Sequence, residues 1–96
     1  MTFEWDIFKA ISNFEKHGVS FENSVTAFDD EHHLITYDRD HSTQRDERFQ
    51  LIGYMQEPDA QVIVVVFTTR ESDSIYRIIS ARPATRPERR IYEQSV

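Results

Sequence analysis

The stretch QVIVVVFTTRESDSIYRIISARPATRPERRIYE, residues 61–93, decides the fold. Near its start stand six consecutive apolar residues, Val62 to Phe67, most of them β-branched. A run of that length suits a strand, and its lack of alternation predicts burial on both faces over Gln61 to Thr69. Glu71-Ser72-Asp73 reads as a turn, and Ile75 to Arg82 as a second strand that Pro83 ends. Thr85-Arg86-Pro87-Glu88 then forms a capping-box pattern, with threonine at the N-cap, glutamate three positions on and proline in the first turn. A short helix to about Glu93 follows from it.

Upstream, the same reasoning gives two helices and three further strands. Phe3-Glu4-Trp5 alternates like a short edge strand, and Asp6 is placed to cap a helix that carries Ile7, Ile11 and Phe14 at helical spacing with Phe8 alongside. Lys16-His17-Gly18 ends it: cations meet the negative carbonyl end, and glycine takes the left-handed position. Ser20 caps a second helix with Phe21, Val25 and Phe28 on one face, and the acids of Asp29-Asp30-Glu31 predict a stop by Phe28. Leu34 to Tyr37 and Phe49 to Met55 read as strands around a polar loop, Asp38 to Asp46, and Glu57-Pro58-Asp59 is a turn signal. Helices and strands that do not alternate imply an α+β fold with an antiparallel sheet. One face of that sheet is expected to take the helices, and the other to stay open for a ligand.

The 96 residues suit one domain, 1–96, and 39% hydrophobic residues with seven Phe and four Tyr can fill a core. The longest apolar run is too short to cross a bilayer, and the N-terminal residues lack a secretory pattern. With no cysteine there is neither disulfide nor thiolate chemistry, and a cytoplasmic location is expected. The net charge of −6 is unevenly spread. Residues 20–47 carry eight carboxylates against two arginines, whereas five arginines and one glutamate fall between Arg77 and Arg90. Such a basic patch on an acidic chain can hold an anion, nucleic acid included.

Regular alternation in the last strand would send Tyr76, Ile78, Ser80 and Arg82 one way and Arg77, Ile79 and Ala81 the other. Arg77 and Arg82 would then occupy opposite faces. Arg86 at the N-terminus of the last helix adds a guanidinium to free backbone N–H groups, a good arrangement for phosphate. The competing reading is that these arginines pair with the abundant carboxylates. His17 either stabilises its helix end or acts as an acid or base, since histidine alone changes charge near neutrality unaided. His32, His33 and His41 with Asp38 and Asp40 match no metal-ligand spacing, so no metal is expected. With only Gly18 and Gly53, the chain has no glycine-rich phosphate loop, and it has no nucleophile elbow.

Four segments in order resemble the BrnT family of bacterial toxins. They are FEWD (3–6) with KHGVSFE (16–22), DHS (40–42) with ERFQLIG (47–53), VVVFTTR (64–70), and RIISARPATRPERRIYE (77–93). Together they span Phe3 to Glu93. The chain departs from the pattern at Ile7, where proline is frequent, and at Glu31, where proline follows FDD. The resemblance implies a RelE-like fold: a small twisted antiparallel sheet packed against two N-terminal helices and a short C-terminal one. It also implies an endoribonuclease that blocks translation and needs no cofactor. Its partners would be the RNA substrate and a BrnA-like ribbon-helix-helix antitoxin in a hetero-oligomer, with operator DNA met only through the antitoxin and no membrane partner.

RNA cleavage can use the substrate's own 2′-OH as nucleophile, which requires proton transfer and stabilisation of a phosphorane. On that chemistry, Arg77 and Arg82 are the phosphate stabilisers, Ser80 is an added donor, and His17 is the acid–base group. Lys16, Arg48 and Arg86 would position the RNA backbone. The alternative is a non-catalytic module whose basic strand and helix bind an acidic protein segment or nucleic acid.

Overall fold

Strand β4 (Gln61–Arg70) lies at the centre of a five-stranded sheet and is buried from both sides. In the computed structural model, which describes residues 1–44, 46–70 and 74–96, the sheet order is β1-β5-β4-β3-β2. The other strands are β1 (Thr2–Glu4), β2 (Leu34–Tyr37), β3 (Arg48–Met55) and β5 (Ile75–Pro83). The helices are α1 (Ile7–His17), α2 (Phe21–Ser24) and α3 (Arg86–Gln94), with a 3-10 segment at Val25–Asp29 directly after α2. The turn read at Glu71-Ser72-Asp73 falls outside the described residues.

The sheet is mixed rather than wholly antiparallel. β2, β3, β4 and β5 pair antiparallel in sequence order, but β1 adds to the outer edge of β5 in parallel, Phe3 opposite Tyr76. A parallel neighbour needs a long crossover, and here everything from α1 to β4 supplies it. The α+β class therefore holds, with β1 as the expected edge strand in an orientation that local patterning does not specify.

One sheet face carries the larger core. Ile63, Val65 and Phe67 of β4 meet Leu51 and Met55 of β3, Ile78 and Ala81 of β5, and Phe21, Ala27 and Phe28 from the helical layer. Each side chain of this size that is fully withdrawn from water contributes about 1.5–3 kcal/mol. The opposite face is only partly open. Tyr92 of α3, with Ala84, covers Ile52 and Val64 at one end of it. The expectation that all helices sit on one face is corrected on this point. The double burial read from Val62 to Phe67 is real, because neighbouring β4 residues feed two separate clusters.

Local signals explain the helix ends. Asp6 accepts from the Phe8 and Lys9 amides at 2.8 and 3.2 Å, and Gly18 closes α1 in the left-handed region at φ 72°. Ser20 caps α2 through the Asn23 amide. The helix then tightens, as the Ser24 and Thr26 hydroxyls donate to the Phe21 and Asn23 carbonyls three residues back. Asp30, just past the 3-10 segment, fastens two other elements: Oδ2 accepts from the Tyr54 amide of β3 at 2.8 Å and from the Tyr92 hydroxyl of α3.

α1 departs most from expectation. Its buried residues are Ala10 and Asn13, while Ile7, Phe8, Ile11 and Phe14 are 59%, 76%, 51% and 55% exposed. The helix is rotated so that Asn13 faces β5. β1 covers the β5 edge only at Ile75–Arg77, which leaves the backbone at Ala81 to be satisfied. Asn13 does this with its side chain: Nδ2 donates to the Ala81 carbonyl at 2.8 Å and to the Val19 carbonyl at 2.9 Å, and Oδ1 accepts from the Ala81 amide at 3.1 Å. Unpaired backbone groups at this buried edge would each cost about 1–3 kcal/mol, which outweighs an apolar face whose exposure is only partial.

At Gly53 the sheet backbone comes close to the helical layer. A Cβ there would stand 2.9 Å from the Ala27 carbonyl oxygen and 2.9 Å from Leu51 Cδ2. Gly53→Ala should therefore lift the 3-10 segment and lower stability by about 1–3 kcal/mol, as overpacking does. Urea unfolding checks this; a midpoint equal to that of the parent would refute the contact.

Candidate functional site

An irregularity in β5 organises the site. Val66 pairs with Ser80 and Phe67 pairs with Ile78, so Ile79 is an extra residue on the β5 side. Such a bulge shifts the alternation by one. Tyr76, Ile78 and Ala81 all pack into the larger core. Arg77, Ser80 and Arg82 consequently share the opposite face. The expectation that Arg77 and Arg82 lie on different faces is thus corrected, and the cause is the inserted Ile79.

Register extends this face across the sheet in three rows. Glu4, Arg77, Thr68 and Arg48 form the first, Ser80, Val66, Gln50 and Thr36 the second, and Arg82, Val64, Ile52 and Leu34 the third. α3 covers the third row, so the first two remain as the open floor. Four residues singled out by the sequence, Arg48, Arg77, Ser80 and Arg82, meet here.

The arginines differ in what holds them. Arg82 donates through Nη1 and Nη2 to the two carboxylate oxygens of Glu88 at 2.7 and 2.9 Å. Glu88 Oε1 also accepts from the Thr85 amide at 2.8 Å, so one carboxylate completes the capping box and binds the guanidinium. Glu88 is held down at about 2, chiefly by the Arg82 hydrogen bonds; burial opposes this, and the Thr85 bonds add to the lowering. Arg82 is raised in turn by the same partner. This end of α3 therefore already holds an anion of its own. Arg77 makes a looser contact, 3.5 Å from Glu4 Oε1, an oxygen that Arg70 also approaches at 3.4 Å. Arg48 Nε lies 3.6 Å from Asp46 Oδ2. Among the described residues, neither Arg48 Nε nor Oγ1 of its register neighbour Thr68 has a hydrogen-bond partner, although both atoms are buried. The hydrogen-bonding capacity of the first row is thus unfilled.

Beside this floor, α1 and the β5 bulge enclose a groove lined by Lys9, Ser12, Asn13, Lys16, His17, Ile79 and Ser80, with Phe8 at its border. His17 and Ser80, 63 positions apart in the chain, line the same wall space because Asn13 ties α1 to Ala81, next to Ser80. Lys16 is exposed and His17 half-buried. Arg86 stands apart, exposed at the first position of α3. Lys9, Thr68 and Asn13 belong to this region but were not singled out by sequence. For Asn13 a signal existed, since a mid-helix asparagine between apolar positions is unfavourable unless it bonds elsewhere.

The histidine-rich segment is used locally. His41 Nδ1 sits 3.0 Å from Asp38 Oδ2, which pulls the Asp38 carboxyl below its ordinary range. His33 Nδ1 lies 2.7 Å from the Asp30 carbonyl. The Ser42 hydroxyl accepts from the Arg48 amide and donates to the Asp38 carbonyl, closing the loop in front of β3. Among the described residues no three His, Asp or Glu side chains converge to hold a metal, and no helix is long and apolar enough to cross a membrane.

Residues 5–88 match the family model described as ribonuclease toxin, BrnT, of type II toxin-antitoxin system. No curated protein matches the chain.

The Glu88 pairing has a defined pH signature. Its folded value, about 2, lies below the ordinary glutamate value of about 4.3, so its stabilising contribution is complete above that ordinary value and disappears as pH falls through about 2. Thermal melts from pH 6 to pH 2 should show the parent more stable than Glu88→Gln at the top of the range and the two converging at the bottom. A pH-independent gap would show that the carboxylate charge is not what matters.

Proposed function

The chain belongs to the BrnT family of type II toxin–antitoxin ribonuclease toxins, and on that premise we propose that it is a metal-independent endoribonuclease acting in the groove between α1 and the β5 bulge. The observation that carries this reading is the meeting of His17, Lys16 and Ser80 in one groove beside an incompletely satisfied arginine row. In this reading the fold is RelE-like, and a BrnA-like ribbon-helix-helix antitoxin neutralises the enzyme and contributes operator binding.

The reaction begins at the RNA 2′-OH. A base removes its proton, the oxygen attacks the adjacent phosphorus, and the 5′-oxygen leaves with a proton from an acid. His17 is the residue assigned to proton transfer. Lys16 and Arg77 supply positive charge to the phosphorane, and the Ser80 hydroxyl supplies a hydrogen bond from the groove wall. Arg48 continues the cationic row and positions the chain of phosphates. Arg82 contributes less directly, because Glu88 holds its guanidinium in a bidentate pair; it fixes the start of α3 at the border of the floor. Arg86 and Arg89, exposed on α3, act on affinity through long-range charge.

The test is incubation of the purified protein with RNA in EDTA, with analysis of product ends. Cleavage should persist and leave a 2′,3′-cyclic or 3′-phosphate and a 5′-hydroxyl. Loss of cleavage in chelator, or 5′-phosphate products, would overturn the mechanism, and RNA that is bound but never cut would favour the binding-module alternative. His17→Ala should lower the single-turnover rate by about 10²–10⁴. Arg77→Ala should lower it by about 10²–10³. Arg89→Ala, which also loses the hydrogen bond to the Ala84 carbonyl, should weaken salt-dependent affinity and leave the single-turnover rate at the parental value.

A further inference from the structure

The apolar face of α1 is left largely outside the core. Ile7, Ile11 and Phe14 follow one another along it at helical spacing, each more than half exposed. α1 itself is already stabilised by Asp6, by Gly18 and by Asn13. Large apolar side chains clustered at the surface in this way mark a contact surface. Beside them runs a shallow groove in which Ala10 and Phe21 form the floor and Glu15 and Glu22 contribute carboxylates.

We propose that this face seats an amphipathic helix of the antitoxin, with apolar side chains at i, i+3 or i+4, and i+7 and with lysine or arginine turned toward Glu15 and Glu22. The proposal rests on the family reading above, which supplies the partner. At this face a helix fits better than an added strand, because the β5 edge beside α1 is already taken, by β1 at Ile75–Arg77 and by Asn13 at Ala81. Side-chain contact along a helix remains, and the stripe from Ile7 to Phe14 spans about 10 Å at 1.5 Å per residue, two turns of a partner helix. The two acidic residues at the groove give that partner its charge and its orientation.

Ile7, Ile11 and Phe14 lie on the flank of α1 opposite Lys9, Ser12 and Lys16, so the docking face and the groove beside β5 share no residue.

The experiment uses this chain and its cognate antitoxin, with affinity measured by calorimetry. The paired variant Ile11→Ser with Phe14→Ser should bind about 100-fold more weakly, roughly tenfold per residue. Its melting temperature and its RNA cleavage rate without antitoxin should equal those of the parent. Ile35→Ser, an equally exposed apolar residue on β2, should keep parental affinity. Parental affinity in the paired variant would overturn the proposal, as would an equal loss in Ile35→Ser. So would a free parent that is dimeric and becomes monomeric in the paired variant with antitoxin affinity unchanged. If the parent cuts no RNA, the ribonuclease reading fails, while the affinity comparison still decides the docking surface.

Discussion

The carboxamide of Asn13 joins three parts of the chain: α1, the Val19 carbonyl before α2, and the edge of β5 at Ala81. It works as a one-residue strand, donating to one backbone carbonyl and accepting from the amide of the same residue. The demand comes from the sheet. β1 is short, so β5 has an uncovered edge exactly one bulge further on, and a buried edge must be satisfied by something. Satisfying it with a side chain from α1 fixes the rotation of the helix. That rotation then determines which residues face the bulge, which face the core, and which face water.

Much of this architecture is legible in the sequence, and the legible parts share a cause. Strand positions, the caps at Asp6, Ser20 and Thr85, and the glycine stop at Gly18 all follow from rules that act within a few residues. The capping box of α3 was read down to its glutamate. What escaped reading depends on distant partners. No local pattern shows that β1 joins in parallel, or that Ile79 is an extra residue, because a bulge is defined only against the neighbouring strand. The apolar spacing of Ile7, Ile11 and Phe14 is a true helix signal, yet periodicity reports only that a face is apolar and not what it faces.

The candidate site shows the same division. His17, Lys16 and Ser80 were singled out for their chemistry, and the fold brings them into one groove. Arg77 shares a face with Ser80 and Arg82 only because the bulge reverses the alternation. The rival expectation, that the arginines pair with carboxylates, is met most fully at Arg82, where Glu88 serves the helix cap and the guanidinium at once. Two carboxylate oxygens satisfying three donors leave this end of the face close to neutral, and the unpaired capacity moves to the Thr68 row. Charge counted along the chain therefore overstates the field at Arg82 and says nothing of the orphaned groups beside it.

α1 is mounted on the sheet by Ala10 and Asn13, and its larger apolar residues add little to that mounting. The letters that fold this helix and the letters it displays are thus nearly disjoint sets. Substitution at Ile7, Ile11 or Phe14 can redraw the outer surface without refolding the protein. On the docking proposed above, a genome that duplicates such a gene could separate the two copies by changes on this one helix face, each keeping its groove beside β5 while ceasing to answer to the other's antitoxin.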